Sequence, residues 1–198
     1  MSTKASTADV IASIALGILE RDGPQAVTMR AVAAEAGITP MAIYHHFASR
    51  EELLRAITDQ EFDRLLAFMQ ERSRSRKARK NQRSMLAEVL NGYVDYALAR
   101  PRVFDYVFCR DRAGARKFPG DFRARKSPTI NVAMDAVEAA MAAGELRKGD
   151  SLEIAFELWA IVHGYLSLYR AGRFETSVDE FRRICDRAIE RLFDGLAP

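Results

Sequence analysis

Residues 28–50 read TMRAVAAEAGITPMAIYHHFASR, and the way this stretch divides decides the fold. Thr28 can accept a hydrogen bond from the first turn of a helix beginning at Met29, and Val32, Ala33 and Ala36 then recur on its inward side. Gly37 supplies the left-handed residue that stops this helix. Ile38 is expected to plug the corner. Thr39 then caps a second helix with Pro40 at its first position, where a missing N–H costs nothing. Two short helices joined by a tight glycine turn form a helix-turn-helix, and the second helix of such a unit suits a major groove.

The facing of that second helix sharpens the reading. Ala42, Ile43 and Phe47 recur on one side and are expected inside, which leaves Pro40, Met41, Tyr44 and His45 outside. A merely solvated face more often carries Glu and Lys. Tyr and His can bond phosphates, and Met or Pro can pack on a thymine methyl. The alternative is that Tyr44 packs over a neighbouring helix. Adjacent His45 and His46 cannot share a helix face, so no metal pair is expected there.

The pieces around this core extend the pattern: Ile14-Ala15 in a first helix, Gly23 closing it, Val27-Thr28-Met29-Arg30, and Ala33-x-x-Ala36-Gly37-Ile38-Thr39. Ile43-Tyr44-x-His46-Phe47 and Ser49-Arg50-Glu51-Glu52-Leu53-Leu54 follow. Together, from about Ala8 to Ile57, they resemble the DNA-binding domain of the tetracycline-repressor (TetR) family of bacterial regulators. That resemblance implies that Thr28, Tyr44, His46 and Arg50 grip phosphates of double-stranded DNA. It places Arg30, Thr39, Pro40 and Met41 near base edges. Met29 departs from the family, which often has a second Thr there, and Asp9 replaces a frequent basic residue. Farther on, Gly144-Glu145-Leu146 through Gly164, with its Trp159…His163-Gly164 spacing, is similar to the C-terminal domain of one Trp-His-Gly subgroup. The family resemblance also implies a two-fold dimer through the final helices.

Composition sets the class without naming a partner. The 198 residues are 48% hydrophobic and 29% charged, an ordinary balance for a soluble globular chain. A net charge of +3 does not by itself argue for nucleic acid. Cys109 and Cys185 lie far apart with no metal-ligand spacing, which fits a reduced cytoplasmic setting. Val10 to Leu19 is an apolar run of signal-peptide length, but Lys4 stands alone before it and Glu20-Arg21-Asp22 follow where a cleavage site would be. Ser6 and Asp9 mark a helix start instead, with Val10, Ile14 and Ile18 expected on its buried face and Ile11 beside them. No stretch approaches the roughly 18 apolar residues of a membrane span.

Ser49-x-x-Glu52 is a capping box that opens a long helix carrying Leu53, Leu54, Ile57, Phe62, Leu65, Leu66 and Met69. Seven basic residues then fall between Arg72 and Arg83, read as a solvated connection or as a DNA-backbone arm. Helical periodicity resumes from Ser84 to Arg100, and a short aromatic helix follows at 103–108. Arg110 to Lys126 reads as a long polar loop. Helices are expected from Pro128 to Gly144, from Ser151 to about Gly172, and from Ser177 onward. No strand-like alternation occurs. The fold class is therefore all-α, with an N-terminal three-helix helix-turn-helix domain at 1–48 and a C-terminal helical ligand-binding and dimerisation domain at 49–198. The last two helices have broad apolar faces and are expected to dock on their counterparts in a second copy.

Tyr93, Phe104, Phe108, Met134, Phe156, Trp159 and His163 can form either a filled core or the lining of a pocket for a small hydrophobic or aromatic effector. Trp159 and His163 share a helix face, so His163 reads as a satisfied core histidine or as a ligand contact. No cofactor is implied. The chain has no G-x-S-x-G, no H-E-x-x-H and no C-x-x-C, and nothing in sequence orients Cys109 toward His163 as a nucleophile and base. The expectation is a dimeric TetR-like transcriptional regulator, a repressor released from a palindromic operator by a small molecule. The alternative is a helical ligand-binding or enzyme-like protein whose head contacts a protein partner.

Overall fold

The computed structural model describes residues 6–109 and 114–198. Lys4 and the opening of the Arg110–Lys126 stretch lie outside the described residues. Among those described, every regular element is helical: α1 Thr7–Asp22, α2 Met29–Ala36, α3 Pro40–Tyr44, α4 Arg50–Ser73, α5 Gln82–Ala99, α6 Pro101–Phe108, α7 Gly120–Arg123, α8 Pro128–Ala142, α9 Ser151–Arg170 and α10 Val178–Gly195, with a 3-10 turn at Ala78–Lys80. The chain divides into two compact units, residues 6–63 with 102–109 and residues 64–101 with 114–198 of those described.

In the first unit the sequence punctuation works as written. The Ser6 hydroxyl accepts the Asp9 N–H at 3.1 Å while the Asp9 carboxylate accepts the Ser6 N–H at 3.0 Å, and Gly23 closes α1 at φ 86°. The buried stripe of α1 is Ile11, Ala12, Ala15, Leu16, Ile18 and Leu19. Ile18 is buried and Ile14 packs partly buried on the core as expected, but Val10 is 48% exposed. The buried side carries the small residues Ala12 and Ala15, which let neighbouring helices come close. Thr28 caps α2 through the Ala31 N–H at 3.1 Å, and Gly37 ends it at φ 67°. The Ile38 N–H reaches back to the Ala33 carbonyl at 3.0 Å, as in a helix end closed by a left-handed residue. The Ile38 side chain is 37% exposed; backbone bonds, not an Ile plug, make this corner.

The first unit is larger than three helices. Leu53, Leu54 and Ile57 from α4 sit in one core with Leu19, Val27, Val32 and Ile43, and so do Val103 and Val107 from α6. A boundary at residue 48 would strip this core of α4 and α6, without which the short helices leave apolar surface open. Phe104 is fully buried, and Phe108 packs against Phe62 at 5.6 Å between ring centroids and against Phe104 at 5.4 Å.

The second unit is built on α5, which packs against α8, α9 and α10. Gly92 lets α4 come close, because a Cβ there would lie 2.9 Å from the Met69 Cα. The N-terminus of α5 is closed by a remote carboxylate: Glu145 accepts the Arg83 N–H at 2.7 Å and the Gln82 N–H at 3.3 Å. Arg72 pairs with buried Glu88 at 3.4 Å and with Asp95 at 3.2 Å, and Arg182 of α10 reaches Asp95 at 2.9 Å. The stretch read as a long loop contains the turn α7, fastened where Asp121 accepts the Lys117 N–H at 2.9 Å and Arg123 pairs with Asp150 at 2.8 Å.

Candidate nucleic-acid interface

The candidate surface is built by α2, the Gly37 turn and α3. Thr39 fixes the start of α3 by accepting the Ala42 N–H at 3.3 Å. Ile43 is fully buried and Phe47 nearly so, which pins the inner side of α3 to the core. The outer side follows from that pinning: Met41 is 67% exposed, Tyr44 49%, and Pro40, His45 and His46 are exposed with them. Thr28, Arg30 and Thr39 are exposed on the same unit. The threonine hydroxyls accept backbone N–H bonds and retain an O–H to donate. Arg21 is different, because it is tied to Glu35 and Asp22, both at 2.9 Å, and those bonds push its pKa above the ordinary arginine range. Arg30 has no ion-pair partner among the described residues.

Arg50 is the one residue of the expected set that does not face outward with the rest. It is half-buried, and its guanidinium donates to the Val27 carbonyl at 2.6 Å and to the Pro24 carbonyl at 2.5 Å. These carbonyls belong to the loop between α1 and α2.

The expected effector residues are split. Phe108 packs on the core of the first unit, and Phe104 lies 5.4 Å from it between ring centroids. Tyr93, Phe156, Trp159 and His163 come together in the second. The Tyr93 hydroxyl and His163 Nδ1 are 2.9 Å apart, Trp159 lies 5.4 Å from the His163 ring centroid and 6.3 Å from Tyr93, and Phe156 lies 5.3 Å from Trp159. Met134 is buried on α8. Burial holds the His163 imidazole below its ordinary pKa and so favours the neutral ring.

Two rings that sequence reading passed over extend this row. Phe118 lies 4.8 Å from Phe156, and Phe122 lies 4.7 Å from it. Their spacing of four, inside an otherwise polar stretch, was the available signal. An open cleft of about 220 Å³ lies elsewhere in the unit, where charged residues such as Lys77, Lys80, Glu88 and Asp186 mix with Ala87 and Ile189. Of the seven basic residues at 72–83, Arg72 and Arg83 are committed to ion pairs within the unit. Arg74, Arg76, Lys77, Arg79 and Lys80 are exposed.

Comparison with known proteins bears on both units. Residues 11–57 match the family model described as bacterial regulatory proteins of the tetR family, and residues 86–192 match a tetracyclin repressor-like C-terminal domain. The transcriptional regulator UidR of Escherichia coli is 36% identical over 72 residues, 36% of this chain and 37% of that protein. The UidR protein of Shigella flexneri matches to the same extent. The chain thus spans well under half the length of these curated relatives. A solved protein of unknown function from Rhodococcus sp. RHA1 is 27% identical with a TM-score of 0.81, over 100% of this chain and 98% of that one. A regulatory protein of the tetR family from Rhodococcus RHA1 shares the fold at a TM-score of 0.69 and 19% identity, over 98% of both chains.

Proposed function

The chain belongs to the TetR family of transcriptional regulators, and on that premise we propose that it is a repressor that reads a palindromic operator as a homodimer. The observation that carries the reading is the outward ridge of α3, with Met41 67% and Tyr44 49% exposed on a helix whose other side is locked by Ile43. In this proposal Pro40 and Met41 pack on base edges, with Arg30 and Thr39 beside them. Thr28, Tyr44 and His46 bond phosphates, and His45 borders the contact. One such ridge reads half a site. A second, related by a two-fold axis, reads the other half about one helical turn or a multiple of it away.

The dimer contact we propose uses α9 and α10. The outer side of α9 presents Ala160, Ile161, Gly164 and Leu168, with Ile161 38% and Leu168 51% exposed. An added Cβ on Gly164 would meet nothing within the chain, so a partner helix has room to approach. The effector in this reading is a small aromatic molecule at the row of Phe156, Trp159, Tyr93 and His163, where flat rings and a Tyr–His pair offer stacking and one polar contact. The Trp159…His163-Gly164 spacing supports a place near the Trp-His-Gly subgroup. Among the described residues no helix is long and apolar enough to cross a membrane, and the proposed setting is the cytoplasm, where the operator is.

The test is selection of bound fragments from the encoding genome. A symmetric recovered site, bound by a dimer that Ile161→Glu with Leu168→Glu separates into protomers, supports the proposal. Recovery of no site, or of an unsymmetric one bound by a single protomer, contradicts it.

A further inference from the structure

The first turn of α4 fastens the helix-turn-helix at both ends. At its entrance, Arg50 crosses to the loop after α1, where Nε bonds the Val27 carbonyl at 2.6 Å and Nη2 the Pro24 carbonyl at 2.5 Å. No backbone N–H outside the helices bonds either carbonyl among the described residues, so the guanidinium supplies their partners. The Val27 carbonyl is part of the peptide plane that leads into Thr28, and the Thr28 hydroxyl caps α2. At its exit, the Glu52 carboxylate accepts the Ala48 N–H at 2.7 Å, one residue beyond buried Phe47. Ser49 in turn accepts the Glu52 N–H at 3.2 Å. Residues 50–52 therefore hold the stretch from Thr28 to Phe47 by its two ends.

We infer that Arg50 is a positioning residue for DNA binding: its guanidinium locks the Pro24–Val27 loop to the first turn of α4 and, with Glu52, sets the pose in which α3 meets the duplex. Arg50 is half-buried, and two of its five N–H donors are committed to these two carbonyls, which ties the guanidinium to the loop. The fork is essential because the two carbonyls lie on different peptides. A lysine keeps the charge but offers a single ammonium on a flexible stem, which cannot reproduce the planar pair of bonds. Any twist or slide of the first turn of α4 moves both fastenings together and re-aims α3. The inference rests on the DNA-binding reading only for its functional consequence. The lock itself is a property of the free protein.

The experiment compares the full chain with Arg50→Lys and Arg50→Ala in two measurements. The first is hydrogen exchange at amides 25–31 without DNA, and the second is the salt dependence of binding to a mixed-sequence duplex of about 30 base pairs, long enough for several phosphate contacts. The expected result is exchange about tenfold faster in both variants, as for loss of hydrogen bonds to a charged group. Duplex binding should weaken in both while the salt slope stays that of the parent chain. Arg50→Lys should give no rescue. Restoration of exchange and affinity by Arg50→Lys would overturn the inference, and so would a slope lowered by about one in Arg50→Ala with exchange unchanged, the signature of a lost phosphate contact. If the parent chain binds no duplex, the DNA-binding reading fails while the exchange measurement still decides the lock. If Arg50→Ala does not fold, the charge-preserving Arg50→Lys carries the comparison alone.

Discussion

α3 and α10 are both buried along one side, and their outer sides are opposites. α10 turns Phe181, Cys185, Ile189 and Phe193 inward, and turns Asp179, Arg183, Asp186, Arg187, Glu190, Arg191 and Asp194 out to water. Its outer charges also pair locally, with Glu180 holding Arg183 at 2.7 Å and Arg187 at 3.1 Å. α3 turns Ile43 inward and leaves Pro40, Met41 and Tyr44 outside, with no charge among them. Water is an adequate partner for the charges of the first outer side wherever a second copy leaves them uncovered. For the second it is a poor one, since contiguous apolar and aromatic atoms stay wet. The difference teaches where to look for an outside partner: at the helix whose exposed side gains nothing from solvent.

The inner sides should behave alike, and there the largest effects are expected. Ile43→Ala should cost about 2–5 kcal/mol and Phe181→Ala about 3–5 kcal/mol, read as lowered denaturant midpoints. Loss of well under 1 kcal/mol at either would mean that the side is not packed as described. The outer sides should separate the helices. Met41→Ala should leave stability within about 0.5 kcal/mol yet lower discrimination between duplex sequences by about 1–3 kcal/mol in competition binding. Arg187→Ala on α10 should change neither by more than about 0.5 kcal/mol. Equal effects of the two substitutions on DNA recognition would erase the contrast.

Two smaller effects sharpen the account of the second unit. Burial raises the Cys185 thiol pKa to about 12. The native chain should therefore leave this thiol unreacted toward a disulfide reagent at mildly alkaline pH, and denaturant should release it. Rapid native labelling at Cys185 would show α10 lifting from its neighbours. The smallest effect belongs to His163, whose folded pKa lies below the ordinary 6.5. The unfolded chain then takes up this proton first as pH falls. The contribution of neutral His163 to stability is full above pH 6.5 and declines below it. The part of the acid-side fall in melting temperature that disappears in His163→Gln measures it, and identical profiles for both chains would remove His163 from the account.

Much of this was legible in sequence because local chemistry settles it. Ser6, Thr28, Thr39, Asp150 and Ser177 cap helices where their side chains predict, and Gly23, Gly37, Gly144 and Gly172 adopt positive φ at or just beyond helix ends. Misplacements came where long-range packing decides. Val10 and Ile11 are equally apolar, and only the neighbours of α1 choose Ile11. The aromatic run at 103–108 could cover any apolar surface, and nothing local shows that Val103 and Val107 complete the core of a unit almost fifty residues earlier. Arg50 could be placed at a helix start, but its reach to Pro24 and Val27 depends on how α4 folds back over the loop. Phe118 and Phe122 were hidden by their polar surroundings until α7 set them against Phe156.

The most direct measurement is binding of the parent chain and of Met41→Ala to a selected symmetric duplex and to versions altered at single base pairs, across a range of salt. The account predicts affinity that falls linearly on a log–log plot as salt rises, a preference among sequences that weakens in Met41→Ala, and one salt slope for both chains. Affinity indifferent to salt, or a sequence preference untouched by removing the Met41 side chain, would contradict it.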